Sequence, residues 1–236
     1  MTIDTTTAVL KQPPVRIAAL AYLGTIVFGL FAEVGTRSGL DRTDPQALAA
    51  SLKAGEAMFR LGVVSDLAML VCYLIVTAIF YAAFRPYSRT LSLTAAAFSL
   101  TGITVLAMGL VNLIAPLMVL NSATGLTDQA DLAALFLMLH GRGYTISLVF
   151  FGVYCLIIGW MVVRSRLVPA AIGLVMAFAG ACYLLNSLRV LLDLPLPGGL
   201  ADYLLLPGLI GEGAISLWLL ARGLNASAWA RLNARP

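Results

Sequence analysis

A single carboxylate sets the chemistry open to this chain. Glu212 stands in Pro207-Gly208-Leu209-Ile210-Gly211-Glu212-Gly213, inside an apolar run and ten residues before Arg222. At about 1.5 Å of rise per residue it lies roughly 15 Å above the basic end of that run, near the middle of a bilayer core about 30 Å thick. The proline and glycines around it weaken the helix and let backbones approach closely. Ionisable side chains at such depth are costly and generally face a protein interior or a water-filled cavity. Two readings stay open: a carboxylate that binds a cation, a proton or a polar ligand group, or a protonated or paired glutamate that fixes helix packing.

The same count along the other runs puts Glu33, Asp66, Asn112, Tyr144 and Asn186 near the opposite edge of the core, with Arg60, His140, Arg142 and Arg189 at or beyond it. Facing inward, these groups would line an outward-facing polar cavity with Glu212 as its floor. The forked guanidiniums of Arg60, Arg142 and Arg189 suit pairing with Glu33, Asp66 or Asp193, and interfacial snorkelling is the alternative for each. His140, in Leu139-His140-Gly141-Arg142-Gly143-Tyr144, is the lone histidine. It is suited to proton transfer with Glu33 or Glu212 or to interfacial hydrogen bonding. A metal site shared by His140, Glu33 and Glu212 would have to bridge about 15 Å of height, so no metal is expected.

Other membrane chemistries are excluded by residue type. The lysines, Lys11 and Lys53, lie outside every apolar run, so none is placed for a buried Schiff base. One histidine cannot supply two haem ligands within a chain. No HExxH, GxSxG, phosphate-loop or dinucleotide motif occurs. Cys72, Cys155 and Cys182 are isolated within runs and read as packing residues. No cofactor is expected.

The elements that position these groups must be membrane-spanning helices. Of 236 residues 61% are hydrophobic and 11% charged, against about a quarter charged in a soluble domain. The net charge of +4 therefore does not indicate nucleic acid, because so sparsely charged a soluble surface would be mostly apolar. Six runs are long enough to cross: Ile17 to Val34, Leu61 to Phe84, Leu91 to Leu120, Thr145 to Val163, Val168 to Leu192 and Tyr203 to Leu220. They form one domain, an all-α bundle over 17–220 between a tail at 1–16 and a tail at 221–236. The first run reads as a retained span, since Glu33 follows it without a small-x-small cleavage site.

Basic residues in short loops stay cytoplasmic. With the N-terminus inside, the inner ends carry nine basic residues and one acid, and the outer ends six basic residues and nine acids. Both termini are therefore expected in the cytoplasm of a bacterial inner membrane. Two amphipathic outer-surface helices are expected as well. The first runs from the Asp44-Pro45 cap to Arg60, and the second from Thr127 or Asp128 to a break at His140 to Gly143. The two halves, each a surface helix plus a hairpin, allow a parallel duplication.

Several motifs together resemble a known family. They are Phe31-Ala32-Glu33, Ala54-Gly55-Glu56-Ala57-Met58-Phe59-Arg60, His140-Gly141-Arg142-Gly143-Tyr144, Phe151-Gly152, Arg164-Ser165 with Pro169, and Gly211-Glu212 followed by Leu217-Trp218-Leu219-Leu220. The set is similar to the bacterial membrane proteins called domain of unknown function 4386, over nearly the whole chain. The resemblance implies six spans and assigns no activity. Three functions are open: binding or transport of a small polar or amphiphilic ligand over Glu212; an enzyme acting on a lipid-like substrate through His140 with Glu33 or Glu212; or an accessory subunit of a larger membrane complex. The expected partners are membrane lipid, a small or lipid-like ligand and a protein partner, with no nucleic acid.

Overall fold

The computed structural model describes residues 11–122, 128–195 and 197–234, all helix, turn or loop with no strand. Asp4, the one acid counted at the inner ends, Arg235, one of the nine basic residues there, and Thr127, a candidate cap, lie outside the described residues. The helices are α1 (Val15–Leu30), continued by a π-helical segment at Phe31–Arg37, α2 (Pro45–Ala54), α3 (Glu56–Phe84), α4 (Arg89–Asn121), α5 (Gln129–Ser165), α6 (Ala170–Leu191), α7 (Leu206–Ala221) and α8 (Ala226–Asn233), with a 3-10 turn at Pro197–Tyr203. Six helical stretches are long and apolar enough to span a membrane: α3, α4, α5, α6, α1 with its π-helical continuation (Val15–Arg37), and α7 with the 3-10 turn before it (Gly199–Ala221). Large apolar side chains such as Leu20, Val27, Val64, Val71, Met108, Leu174, Phe178 and Leu217 stay exposed along them, as a lipid-facing surface requires. The chain is a multi-pass membrane protein. Six crossings bring its two ends to one face, here called the terminal face; Lys11 and Asn233 line one groove there.

The spans close into a ring. α1 packs on α3, α3 on α4, α4 on α5, α5 on α6, α6 on α7, and α7 back on α1, while pairs across the ring make little close backbone contact. The α5–α6 seam is the tightest. A Cβ on Gly159 would lie 2.6 Å from the Gly173 carbonyl oxygen, and one on Gly152 would lie 3.0 Å from that of Gly180. Without a hydrophobic drive between helices in lipid, such backbone contact is what holds them together. Gly159→Ala is expected to cost about 1–3 kcal/mol through overpacking, read as a lower thermal midpoint in detergent. Gly141→Ala, whose Cβ meets nothing within 4 Å, should instead gain about 0.5–1 kcal/mol from helix propensity.

Three features differ from the sequence expectation. First, α5 runs unbroken through Gly141 and Gly143, so the second surface helix is the end of a span and the proposed duplication lacks a matching element. Glycine permits a break without imposing one. At 37 residues, or about 55 Å, α5 projects well beyond the bilayer core. Second, the surface helix that does form stops at Ala54, and Glu56 to Arg60 open α3. Asp44 caps α2 by accepting from Ala47 N at 2.7 Å, and Leu48 and Leu52 are buried where α2 packs on the projecting end of α5. Its apolar stripe faces protein rather than lipid. Third, the tail expected at 221–236 contains α8, capped by Asn225 on Ala228 N at 3.1 Å. Leu224, Ala228 and Trp229 bury into the bundle, and Asn225 N bonds Leu167 O at 2.9 Å.

Candidate functional site

Helix α7 lies between α6 and α1 in the ring and directs Glu212 inward, where it is 6% exposed. Tyr183 on α6 donates to Glu212 Oε1 at 3.3 Å, and Tyr73 on α3 donates to Oε2 at 3.4 Å. Both bonds are long for O–H to O contacts, so the carboxylate is held loosely. Tyr183 reaches it because residue 208 is glycine: a Cβ there would overlap the Tyr183 hydroxyl and ring. Among the described residues no Lys, Arg or His pairs with Glu212.

An aromatic layer surrounds it. Tyr22 on α1 packs edge-on to Tyr73, with ring centroids 6.0 Å apart, and Tyr73 lies 5.1 Å from Phe151 on α5. The hydroxyls of Tyr22 and Tyr154 lie in weak hydrogen-bonding reach of each other, outside ordinary bond geometry, and in electrostatic reach of Glu212. Side chains from α1, α3, α5, α6 and α7 thus fill the ring at one level. Gly208→Ala is expected to push Tyr183 off Glu212 and to cost about 1–3 kcal/mol, measured as a fall in thermal midpoint that Tyr183→Phe alone does not reproduce.

A second polar layer lies closer to the opposite face. The π-helical segment, marked by Ser38 N bonding Glu33 O at 3.0 Å, turns Arg37 inward, where it is 6% exposed. Its guanidinium grips Asp66 on α3 with two bonds, of 2.6 and 3.3 Å, and Glu33 through Nε at 2.9 Å. Asp66 is 4% exposed, whereas the Glu33 side chain is 63% exposed. The segment passes so close to α3 that a Cβ on Gly62 would meet the Thr36 hydroxyl. Tyr144 on α5 is in electrostatic reach of Glu212 and of Glu33, Arg37 and Asp66. It occupies the buried stripe of α5 shared with Leu148, Phe151 and Cys155, yet is 38% exposed.

The remaining sequence candidates separate from this arrangement. Arg60 pairs with Glu56 of its own helix at 2.7 Å. Arg142 donates to Val190 O at 3.1 Å, and Arg189 Nε is buried without a partner. The pairs expected of these arginines with Glu33, Asp66 or Asp193 do not form among the described residues; Arg37 takes Glu33 and Asp66 instead. Asn186 is 8% exposed and stands one turn beyond Tyr183 on α6. His140 Nδ1 contacts Gly109 O at 3.1 Å; a carbonyl only accepts, so Nδ1 carries the proton. His140 lies on the order of 20 Å higher than Glu212 by helix rise. Among the described residues no three of His, Cys, Asp and Glu are grouped to hold a metal.

Sequence reasoning missed Arg37 and the tyrosines. Arg37 looked like an end-of-helix charge because only the π-helical register turns it inward. The tyrosines left a usable signal: Tyr22, Tyr73, Tyr154 and Tyr183 lie about 10–20 Å along their helices from the terminal face, too deep for an interfacial belt. A hydroxyl at that depth must find its partner inside the protein. Two surface grooves open at the terminal face, one lined by Arg166, Trp218, Arg222 and Asn225, the other by Lys11, Arg85 and Arg89. Glu212 lines neither. The family model described as Domain of unknown function (DUF4386) matches residues 17–223. No curated protein and no solved structure matches the chain.

Proposed function

Because the chain belongs to the DUF4386 family, whose description assigns no activity, we propose from its own geometry that it binds or transports a small polar or amphiphilic ligand held on Glu212. The observation that carries this reading is a carboxylate buried at mid-span, bonded only through two long phenol contacts and lacking a basic partner. A glutamate kept for packing alone gains nothing from its charge and incurs an insertion cost of about 3 kcal/mol. Tyr144 and Asn186, above Glu212, supply the walls of the outward approach, and the Arg37–Asp66 pair stands at its mouth. The surplus of basic residues on the terminal face, Arg85, Arg89, Arg164, Arg166 and Arg222 among them, supports a cytoplasmic terminal face in a bacterial inner membrane.

A thermal-shift screen of small amines, alcohols, acids and sugars on the purified protein, run beside Glu212→Gln, tests this reading. At least one compound is expected to raise the thermal midpoint of the wild type and not that of the variant. A screen in which every hit stabilises both proteins equally overturns it.

A further inference from the structure

Independently of Glu212, we propose that the groove beside α8 on the terminal face binds the headgroup of an anionic phospholipid. Three separate stretches of chain build this groove: Lys11 ahead of α1, the α3–α4 turn that Arg85 opens and Arg89 closes, and α8 with Trp229 and Leu232. Its volume is about 610 Å³, within the range of about 300–1,000 Å³ typical of small-molecule sites. The side chains of Lys11, Arg85 and Arg89 are exposed and make no ion pair or hydrogen bond among the described residues. No acid lines the groove, so three cations from two parts of the chain converge on it uncompensated.

Position selects the class of anion. Two spanning helices, α3 and α4, meet at this turn, so the groove lies where the hydrocarbon core gives way to headgroups. Ala82, in the last turn of α3, also lines it and carries it to the apolar edge of the membrane, while Trp229 and Leu232 give it an apolar wall. A lipid uses both parts at once: its phosphate oxygens meet the forked guanidiniums of Arg85 and Arg89, with Lys11 as a further point charge, and its glycerol and first methylenes lie against the apolar wall. A soluble phosphate uses only the basic part, and a zwitterionic headgroup brings its own cation to a site that already holds three. Basic pockets between helices at this level of a membrane suit anionic headgroups. Helix α8, anchored by the buried Trp229, is the wall that makes the basic turn a groove.

Dioleoylphosphatidylglycerol and dioleoylphosphatidylcholine, titrated separately into the detergent-solubilised protein and counted by native mass spectrometry, separate headgroup charge from acyl-chain binding. The phosphatidylglycerol is expected to bind about fivefold or more tightly than the phosphatidylcholine. Arg85→Gln and Arg89→Gln should each weaken it about fivefold while changing phosphatidylcholine less than twofold. Arg164→Gln removes the same charge from the same face outside the groove and should change neither lipid more than twofold. The Arg85 and Arg89 side chains bond nothing among the described residues, so both variants are expected to fold, and an unchanged thermal midpoint in lipid-free detergent checks this. Equal binding of the two lipids overturns the proposal, since the contact is then with the acyl chains. Arg164→Gln as damaging as Arg85→Gln overturns it too, because the attraction then belongs to the whole face. Inorganic phosphate that displaces the phosphatidylglycerol at equal concentration makes the groove a phosphate site and overturns the lipid assignment. None of these outcomes bears on Glu212, whose ligand the thermal-shift screen tests.

Discussion

Asp66→Asn is expected to destabilise the protein by about 3–5 kcal/mol, the largest loss from any single polar substitution in the bundle. The cost comes from what is left behind. Arg37 is 6% exposed and Asp66 4%, so removing the carboxylate charge strands a guanidinium in a region of low dielectric. Glu33 cannot take over, because its side chain is 63% exposed and its pairing with Arg37 is screened by solvent. Glu33→Gln should therefore cost no more than about 1 kcal/mol. Replacing the pair with apolar residues, Arg37→Met together with Asp66→Leu, should recover most of the loss, since well-packed apolar side chains often match a buried ion pair. Thermal or denaturant unfolding in detergent ranks these variants. An Asp66→Asn variant no less stable than Glu33→Gln would contradict the buried bidentate geometry.

Glu212→Gln is expected to behave in the opposite sense: ligand affinity falls about 100-fold while stability holds or rises. Glutamine keeps the size and one acceptor oxygen, so Tyr183 or Tyr73 retains a partner. It also removes an acid whose insertion at mid-span costs about 2.5–3.5 kcal/mol. The ligand loses a charge-assisted bond in a dry environment, worth about twice a neutral one, together with the Coulomb attraction. A variant that loses about 2 kcal/mol or more of stability yet binds the screened ligand normally would make Glu212 a packing group. Comparing unfolding midpoint with binding isotherm on one preparation separates the two roles.

The architecture was legible in the sequence for a simple physical reason. A backbone in lipid must satisfy its own hydrogen bonds, so long apolar runs become helices, and the six-run reading matches the six spanning helices. Glu212 was legible as a buried carboxylate because a charge inside such a run has few alternatives. What the sequence hid was register and partnership. Helix rise gives the height of Arg37, Tyr73 and Tyr183 but not which way they turn. The π-helical insertion at Phe31–Arg37 rotates Arg37 from a surface position onto Asp66, and no periodicity count anticipates it. The ring order, which lets Tyr73 of α3 and Tyr183 of α6 meet on one glutamate, is a tertiary fact. Helix α8 escaped because eight residues are too few for a periodic signal and its burial rests chiefly on Trp229.

In the proposed function, the Glu212 carboxyl is the group a ligand occupies. Carbodiimide labelling in nanodiscs, mapped by mass spectrometry with and without a compound from the thermal-shift screen, tests it most directly. The expected result is an adduct on Glu212 that the bound compound suppresses at least tenfold, with labelling of surface acids such as Asp41 unchanged. An adduct on Glu212 that forms equally with the compound bound would contradict it.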